Sequence, residues 1–159
     1  MRNIKVREIE EKDNLLVERL IRTCLKEFGA DKPGTAWSDP DLGRFYFLYQ
    51  QSGSKYWVAE EDGRIVAGCG IGPVATHEDV CELQKMYAAK EQRGTGIAEK
   101  LLDTALTFAG EHYKQCYLET LSNMHAANRF YQKQGFRQMD KPLNESEHYA
   151  CDVWYIRNL

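Results

Sequence analysis

Arg93-Gly94-Thr95-Gly96-Ile97-Ala98 joins two segments of opposite character. Before it, Cys81 to Tyr87 reads as a strand. After it, Ile97, Leu101, Leu102, Ala105, Leu106 and Ala109 recur at helical spacing. A glycine-rich turn that opens a helix presents unpaired backbone N–H groups at the positive end of the helix dipole. Such a turn is an anion site, with phosphate as its usual occupant, and glycine lets the anion approach the backbone closely. A tight strand-to-helix turn with no ligand would carry the same letters.

Upstream, the expected strand Cys81–Tyr87 places Glu82, Gln84 and Met86 on one face and Leu83, Lys85 and Tyr87 on the other. Before it comes a hairpin. Tyr56–Ala59 and Ile65–Cys69 flank Glu61-Asp62-Gly63, a strong turn signal. Gly68, Gly70 and Gly72 alternate along its second strand, so that the strand bends there or another group comes close. Downstream, Gln115–Leu121 reads as a strand. Ser122 or Asn123 then caps a helix that carries Ala127, Phe130, Tyr131 and Gln134 and ends at Gly135. Phe136–Met139 and Tyr149–Ile156 read as closing strands around the polar loop Asn144-Glu145-Ser146-Glu147.

At the N-terminal side, Ile4–Ile9 alternates as a strand, and Asp13 caps a helix running from Val17 to Phe28 that Gly29 ends. After the loose stretch Gly29–Ser38, Asp39-Pro40 reads as N-cap and first residue of a second helix, with Leu42, Phe45, Tyr46 and Tyr49 on one face. That aromatic face packs in the core, or Tyr46 lines a pocket. The order β α α β β β α β α β β is a mixed sheet flanked by helices, an α/β or α+β fold.

The 159 residues suit a single domain over 1–159, and 43% hydrophobic content is that of an ordinary folded chain. A net charge of −3 argues against nucleic acid as the main partner. No apolar run is long enough to span a bilayer, and Met1-Arg2-Asn3-Ile4-Lys5 lacks a signal-peptide core, so no membrane is expected. Five cysteines (Cys24, Cys69, Cys81, Cys116, Cys151), without a C-x-x-C pair, read as free thiols in a reducing cytoplasm, and no metal is expected.

Three stretches together resemble the GNAT superfamily of acyl-CoA-dependent N-acetyltransferases. They are Arg93-x-x-Gly96-x-Ala98, ending in the permitted Ala rather than Gly; Ala127-Asn128-Arg129-Phe130-Tyr131 running to Gly135-Phe136; and Glu82-Leu83-Gln84-Lys85-Met86-Tyr87. The element order matches as well, so the resemblance covers essentially the whole chain. It implies a central sheet of about seven strands flanked by about four helices. The parallel strands 81–87 and 115–121 splay into a V-shaped cleft. Acetyl-CoA would be the co-substrate. Its pantetheine arm would lie along the main chain of Met86, Tyr87 and Ala88, as an added strand would. Its pyrophosphate would sit on the N–H groups of Arg93, Gly94, Thr95, Gly96, Ile97 and Ala98, and Asn128 would hydrogen-bond the arm.

The implied reaction is attack of a primary amine on the thioester. An alkyl ammonium with a pKa of about 10 must first lose a proton, and a nearby acid assists the departing thiolate. Tyr131 stands at the family's acid position. Glu82 is the candidate base, Glu119 competes with it as base or as ligand of the substrate ammonium, and water alone serves in some members. His125 and His148 titrate in a useful range but lack a supporting pattern. Cys81 and Cys151 lack a histidine at informative spacing, so direct transfer in a ternary complex is expected. The acceptor wall is expected from Phe28–Tyr49 and Leu143–Trp154, whose aromatics and acids would suit a cation with an apolar part. A homodimer would be unsurprising for the family. The alternative is a non-catalytic acyl-CoA-binding regulatory module on the same fold.

Overall fold

Seven strands form one sheet in the order β1-β2-β3-β4-β5-β7-β6 in a computed structural model that describes residues 3–143 and 148–159. The expected polar loop at 144–147, with Glu145 and Glu147, lies outside the described residues. The strands are β1 (Ile4–Glu8), β2 (Lys55–Glu61), β3 (Arg64–Val74), β4 (His77–Ala88), β5 (Gln115–Thr120), β6 (Arg137–Met139) and β7 (Val153–Asn158). The helices are α1 (Asn14–Glu27), α2 (Phe45–Leu48), α3 (Ile97–His112) and α4 (His125–Lys133).

The sheet has helices on both faces. On one, Ile97, Leu101, Leu102, Ala105 and Ala109 of α3 and Tyr131 of α4 pack with Cys69, Ile71, Leu83 and Leu118. On the other, Val17, Ile21 and Leu25 of α1 and Phe45 pack with Tyr49, Tyr56 and Val58. A fully buried leucine such as Leu101 or Leu102 contributes about 2 kcal/mol through apolar area removed from water. The hairpin turns at Asp62 and Gly63, both at positive φ (50° and 82°), the geometry that Asp-Gly favours between two twisted strands.

Neighbouring strands run antiparallel except β4 and β5, which are parallel and, among the described residues, pair only at Val80–Gln115, Cys81–Cys116 and Glu82–Tyr117. Beyond Glu82 the two strands part. The glycine-rich turn lies at the far end of β4 and leads into α3.

Several local expectations are corrected. The second helix is a single turn, α2, and Asp39-Pro40 does not open it. Asp39 is extended, and its carboxylate takes Lys85 Nζ (2.7 Å) and His148 Nε2 (2.9 Å), so it is unavailable as a cap. Neither Ser122 nor Asn123 caps α4. Ser122 donates to Asp152, and Asn123 donates to the Phe28 carbonyl. The alternation on β4 breaks at Lys85 (φ 50°). Gly68 pairs with Tyr87 but Gly70 with Gln84, so β4 carries one extra residue, a β-bulge. The bulge puts Met86 and Ala88 with Leu83 against the α3 side and Tyr87 against the α1 side, reversing the expected faces. β7 begins at Val153, later than expected, and Tyr149 is exposed.

Asp13 also departs from its expected role, since its carboxylate makes no cap bond to α1. It accepts from Arg7 Nη1 (2.7 Å), Arg7 Nη2 (3.0 Å) and the Glu10 N–H (2.8 Å), and it is 1% exposed. Burial pushes its pKa up, and the Arg7 and Glu10 hydrogen bonds outweigh this and hold it below the usual carboxylate value. A depressed folded pKa means that this stabilisation is full above the unfolded value of about 3.9 and is lost as pH falls through the folded one. Asp13→Ala is expected to destabilise the fold by about 3 kcal/mol, because it leaves a largely buried guanidinium short of a partner. Urea unfolding at neutral pH checks this, and the difference from the parent should shrink in acid.

Candidate active site

The parting of β4 and β5 opens a cleft of about 450 Å³. It reaches both faces of the sheet, with Leu25, Phe28 and Ala36 on the α1 side and Ala127, Phe130 and Tyr131 on the α4 side. Met86, Tyr87 and Ala88 line it. On the side facing β5, this stretch has no ladder partner among the described residues.

At one end stands the glycine-rich turn. Gly94 (φ 78°) and Gly96 (φ 87°) hold the left-handed conformation that glycine adopts without strain. An added Cβ at either would meet nothing within 4 Å, so the space beside them is open. Among the described residues, the N–H groups of Gly94, Gly96, Ile97 and Ala98 meet no backbone carbonyl, and Ile97 and Ala98 form the first turn of α3. The dipole of this 16-residue helix points its positive end there. An open cradle of free donors fits a pyrophosphate. Thr95 and Arg93 contribute differently. Thr95 turns its N–H and hydroxyl back to the Gln92 carbonyl. The Arg93 guanidinium grips both oxygens of Glu27 and the Ala88 carbonyl, tying the turn to the end of α1.

Glu82 on β4 and Glu119 on β5 both line the cleft, near enough for their charges to interact. Glu82 is half-buried and accepts from Gln84 Nε2 at 2.8 Å. Burial raises its pKa, the Gln84 hydrogen bond partly opposes this, and Glu119 raises it further. Glu119 Oε2 accepts from the Tyr117 hydroxyl at 2.7 Å, while its buried Oε1 has no hydrogen-bond partner among the described residues. Tyr131 is 8% exposed and lines the α4 wall, its ring packed against Phe130, Phe136 and Tyr155. Burial, with nearby Cys69, Cys116 and Tyr155, pushes its pKa well above that of an ordinary phenol, so it stays protonated.

Three expected residues stand outside the lining: Thr95, Asn128 and Tyr46. Both Asn128 amide hydrogens go to the carbonyls of Leu121 (3.0 Å) and Met124 (2.8 Å), and its Oδ1 accepts from Tyr155. Asn128 thereby ties the β5–α4 connection to β7. Tyr46 is half-buried against the Tyr49–Tyr56 cluster, edge-on to Phe47. His148 and Cys151 line the cleft and His125 does not. Burial, together with Glu119 and Glu82, pushes the Cys151 thiol up to about 12, so it is no thiolate at neutral pH.

Sequence reasoning missed the Lys85–Asp39–His148 bridge, which pins the loop after α1 to β4 and to the segment before β7. It also missed Gln84. The bridge leaves no local signal because its partners are far apart in sequence. Gln84 was marked only by the alternating glycines of the neighbouring strand.

The Acetyltransferase (GNAT) family matches residues 16–136. An uncharacterized N-acetyltransferase, YjgM, of Escherichia coli (strain K12) is 40% identical over 158 residues, covering 97% of this chain and 94% of that one. Among solved structures, an acetyltransferase of the GNAT family from Staphylococcus aureus Mu50 superposes with a TM-score of 0.86 at 25% identity, covering 98% and 99% of the two chains. The PaiA N-acetyltransferase of Thermoplasma acidophilum, in complex with coenzyme A, shares the fold at a TM-score of 0.74 and 17% identity, with 99% of each chain covered.

Proposed function

This chain belongs to the GNAT family of acetyltransferases, and from that premise we propose that it moves an acetyl group from acetyl-CoA to a primary amine by direct attack. The carrying observation is the split between β4 and β5, which joins an open anion cradle at Gly94–Ala98 to a carboxylate pair and a buried phenol. A neighbour of the same fold holds coenzyme A. We take residues 1–159 as one acetyltransferase domain. Its five free cysteines fit a reducing cytoplasm, and among the described residues no helix is long and apolar enough to cross a membrane.

Acetyl-CoA supplies a thioester carbonyl as electrophile. Gly94, Gly96, Ile97 and Ala98 hold its pyrophosphate, and the main chain of Met86–Ala88 pairs with its arm. The acceptor enters from the α1 side as an ammonium, and Glu119 Oε1, which has no hydrogen-bond partner among the described residues, accepts one of its N–H groups. Glu82, with its pKa raised toward the working range, removes the proton and frees the nitrogen lone pair. The nitrogen lone pair forms the C–N bond, and the C–S bond breaks with its electron pair on sulfur. The second nitrogen proton passes to solvent water, while Tyr131 donates a hydrogen bond to the departing thiolate. The raised pKa of Tyr131 keeps the hydroxyl protonated and so able to donate, and the thiolate needs no full proton transfer to leave.

Purified protein with acetyl-CoA and a broad panel of primary amines should release free thiol only when a suitable amine is present, with product mass higher by one acetyl group. Acetyl-CoA binding without thiol release across the panel would favour a non-catalytic binding module. Tyr131→Phe removes the donor and keeps the ring. It is expected to lower turnover about 10–100-fold and to leave the acetyl-CoA Kd within about twofold. Unchanged turnover would remove Tyr131 from the mechanism.

A further inference from the structure

Gly68, Gly70 and Gly72 of β3 make room for side chains rather than for backbone or ligand. A Cβ on Gly68 would stand 2.7 Å from the Tyr56 hydroxyl. One on Gly70 would meet the Tyr56 ring at 2.7 Å and the Tyr49 ring at 2.8 Å. One on Gly72 would meet Gln84 Oε1 at 2.8 Å. Real Cβ atoms do not approach so closely, so these glycines are a floor on which Tyr56, Tyr49 and Gln84 lie.

What lies on that floor is connected. The Tyr49 hydroxyl donates to Gln84 Oε1 at 2.8 Å, and Gln84 Nε2 donates to Glu82 Oε1 at 2.8 Å. An ionised carboxylate only accepts, so the amide must turn its NH₂ to Glu82 and its carbonyl to Tyr49. Tyr49 is buried, its ring held edge-on by Phe45 and tilted against Tyr56. The Tyr56 hydroxyl in turn donates to the Lys85 carbonyl at the β4 bulge. The chain thus runs from the α1-side core to the cleft.

We infer that Tyr49 and Gln84, seated on the glycines of β3, are positioning residues that aim the Glu82 carboxylate into the cleft. The inference rests on the reading of Glu82 as the base. A hydrogen bond to the ionised form favours that form, so the chain also restrains the rise that burial imposes. Other groups bear on Glu82 from every side. They are Glu119, Tyr117 and Cys116 of β5, Lys85 of its own strand, and His148 and Cys151 before β7. None of these is altered by the substitutions below.

The test follows the Glu82 carboxyl carbon by ¹³C NMR during a pH titration of the whole protein, its signal assigned by its loss in Glu82→Gln. No acceptor amine is needed. Gln84→Leu should raise the Glu82 midpoint by about one pH unit. Tyr49→Phe should raise it less, because the amide keeps its place but loses its anchor. Gly72→Ala adds one methyl group against the flexible amide and should raise it in the same direction without unfolding the protein. The turnover of Glu82→Gln judges the base role separately. An unmoved midpoint in Gln84→Leu would overturn the inference, as would no rise in both Tyr49→Phe and Gly72→Ala should Gln84→Leu fail to fold.

Discussion

Gly96→Glu is expected to abolish coenzyme A binding, with affinity lowered by more than about 100-fold in calorimetry. Three effects add in one direction. The backbone at Gly96 stands at φ 87°, where an L-residue is strained by about 1–2 kcal/mol. A side chain there points into open space, since nothing lies within 4 Å of its Cβ, and that space is the one assigned to the pyrophosphate. The carboxylate then sets a negative charge against a dianion at the start of α3, where the N–H groups would otherwise receive it. The open surroundings also mean that the substitution creates no packing clash, so the protein should remain folded and the binding loss should be specific. Gly96→Ala separates the terms, because it carries the backbone strain with little of the bulk and none of the charge. It should weaken binding by about tenfold at most. Binding by Gly96→Glu as tight as that of the parent would show that the anion sits elsewhere.

The same glycine turn shows what the letters could convey. Turn residues act locally, so Asp62-Gly63 and Gly94–Gly96 announced a hairpin and a helix start, and the structure has both. The parallel pairing of β4 with β5 and the split beyond Glu82 followed from a family resemblance rather than from periodicity. Local letters failed where distant partners decide. Leu42, Phe45 and Tyr49 have helical spacing and are all buried, yet only one turn forms, because Asp39 is held by Lys85 and His148 instead of capping a helix. The bulge at Lys85 is a property of register against β3, and period-two reasoning passes straight through it. Asn128 carried the expected motif letter, but its amide closes the β5–α4 connection instead of facing the cleft. The carboxylates were the most legible part of the site. Glu82 and Glu119 were named from the family resemblance together with their places on the two parting strands, and the cleft brings both into its lining.

That pair carries the other large effect. Glu82→Gln keeps the shape of the side chain and an oxygen to accept from Gln84, but it removes the base. Turnover near neutral pH is expected to fall by about 10²–10³-fold, the range for loss of a positioned general base. The pH dependence is the sharper sign. In the parent, the acidic limb of kcat/KM reports deprotonation of Glu82. Burial and Glu119 raise its pKa, so that limb lies above the ordinary glutamate value of about 4.3. Activity is therefore lost as pH falls through this raised value. In Glu82→Gln the limb disappears, and the residual rate climbs with pH toward the acceptor's own pKa of about 10, because only amine already free in solution can attack. Glu119→Gln separates binding from proton removal. It weakens the contact of the unpartnered Oε1 with the ammonium, so KM for the amine should rise more than kcat falls, while the acidic limb moves down because Glu82 loses a neighbouring charge. If Glu82→Gln kept the parent rate and limb while Glu119→Gln lost both, the two carboxylates would exchange roles, and β5 rather than β4 would carry the base.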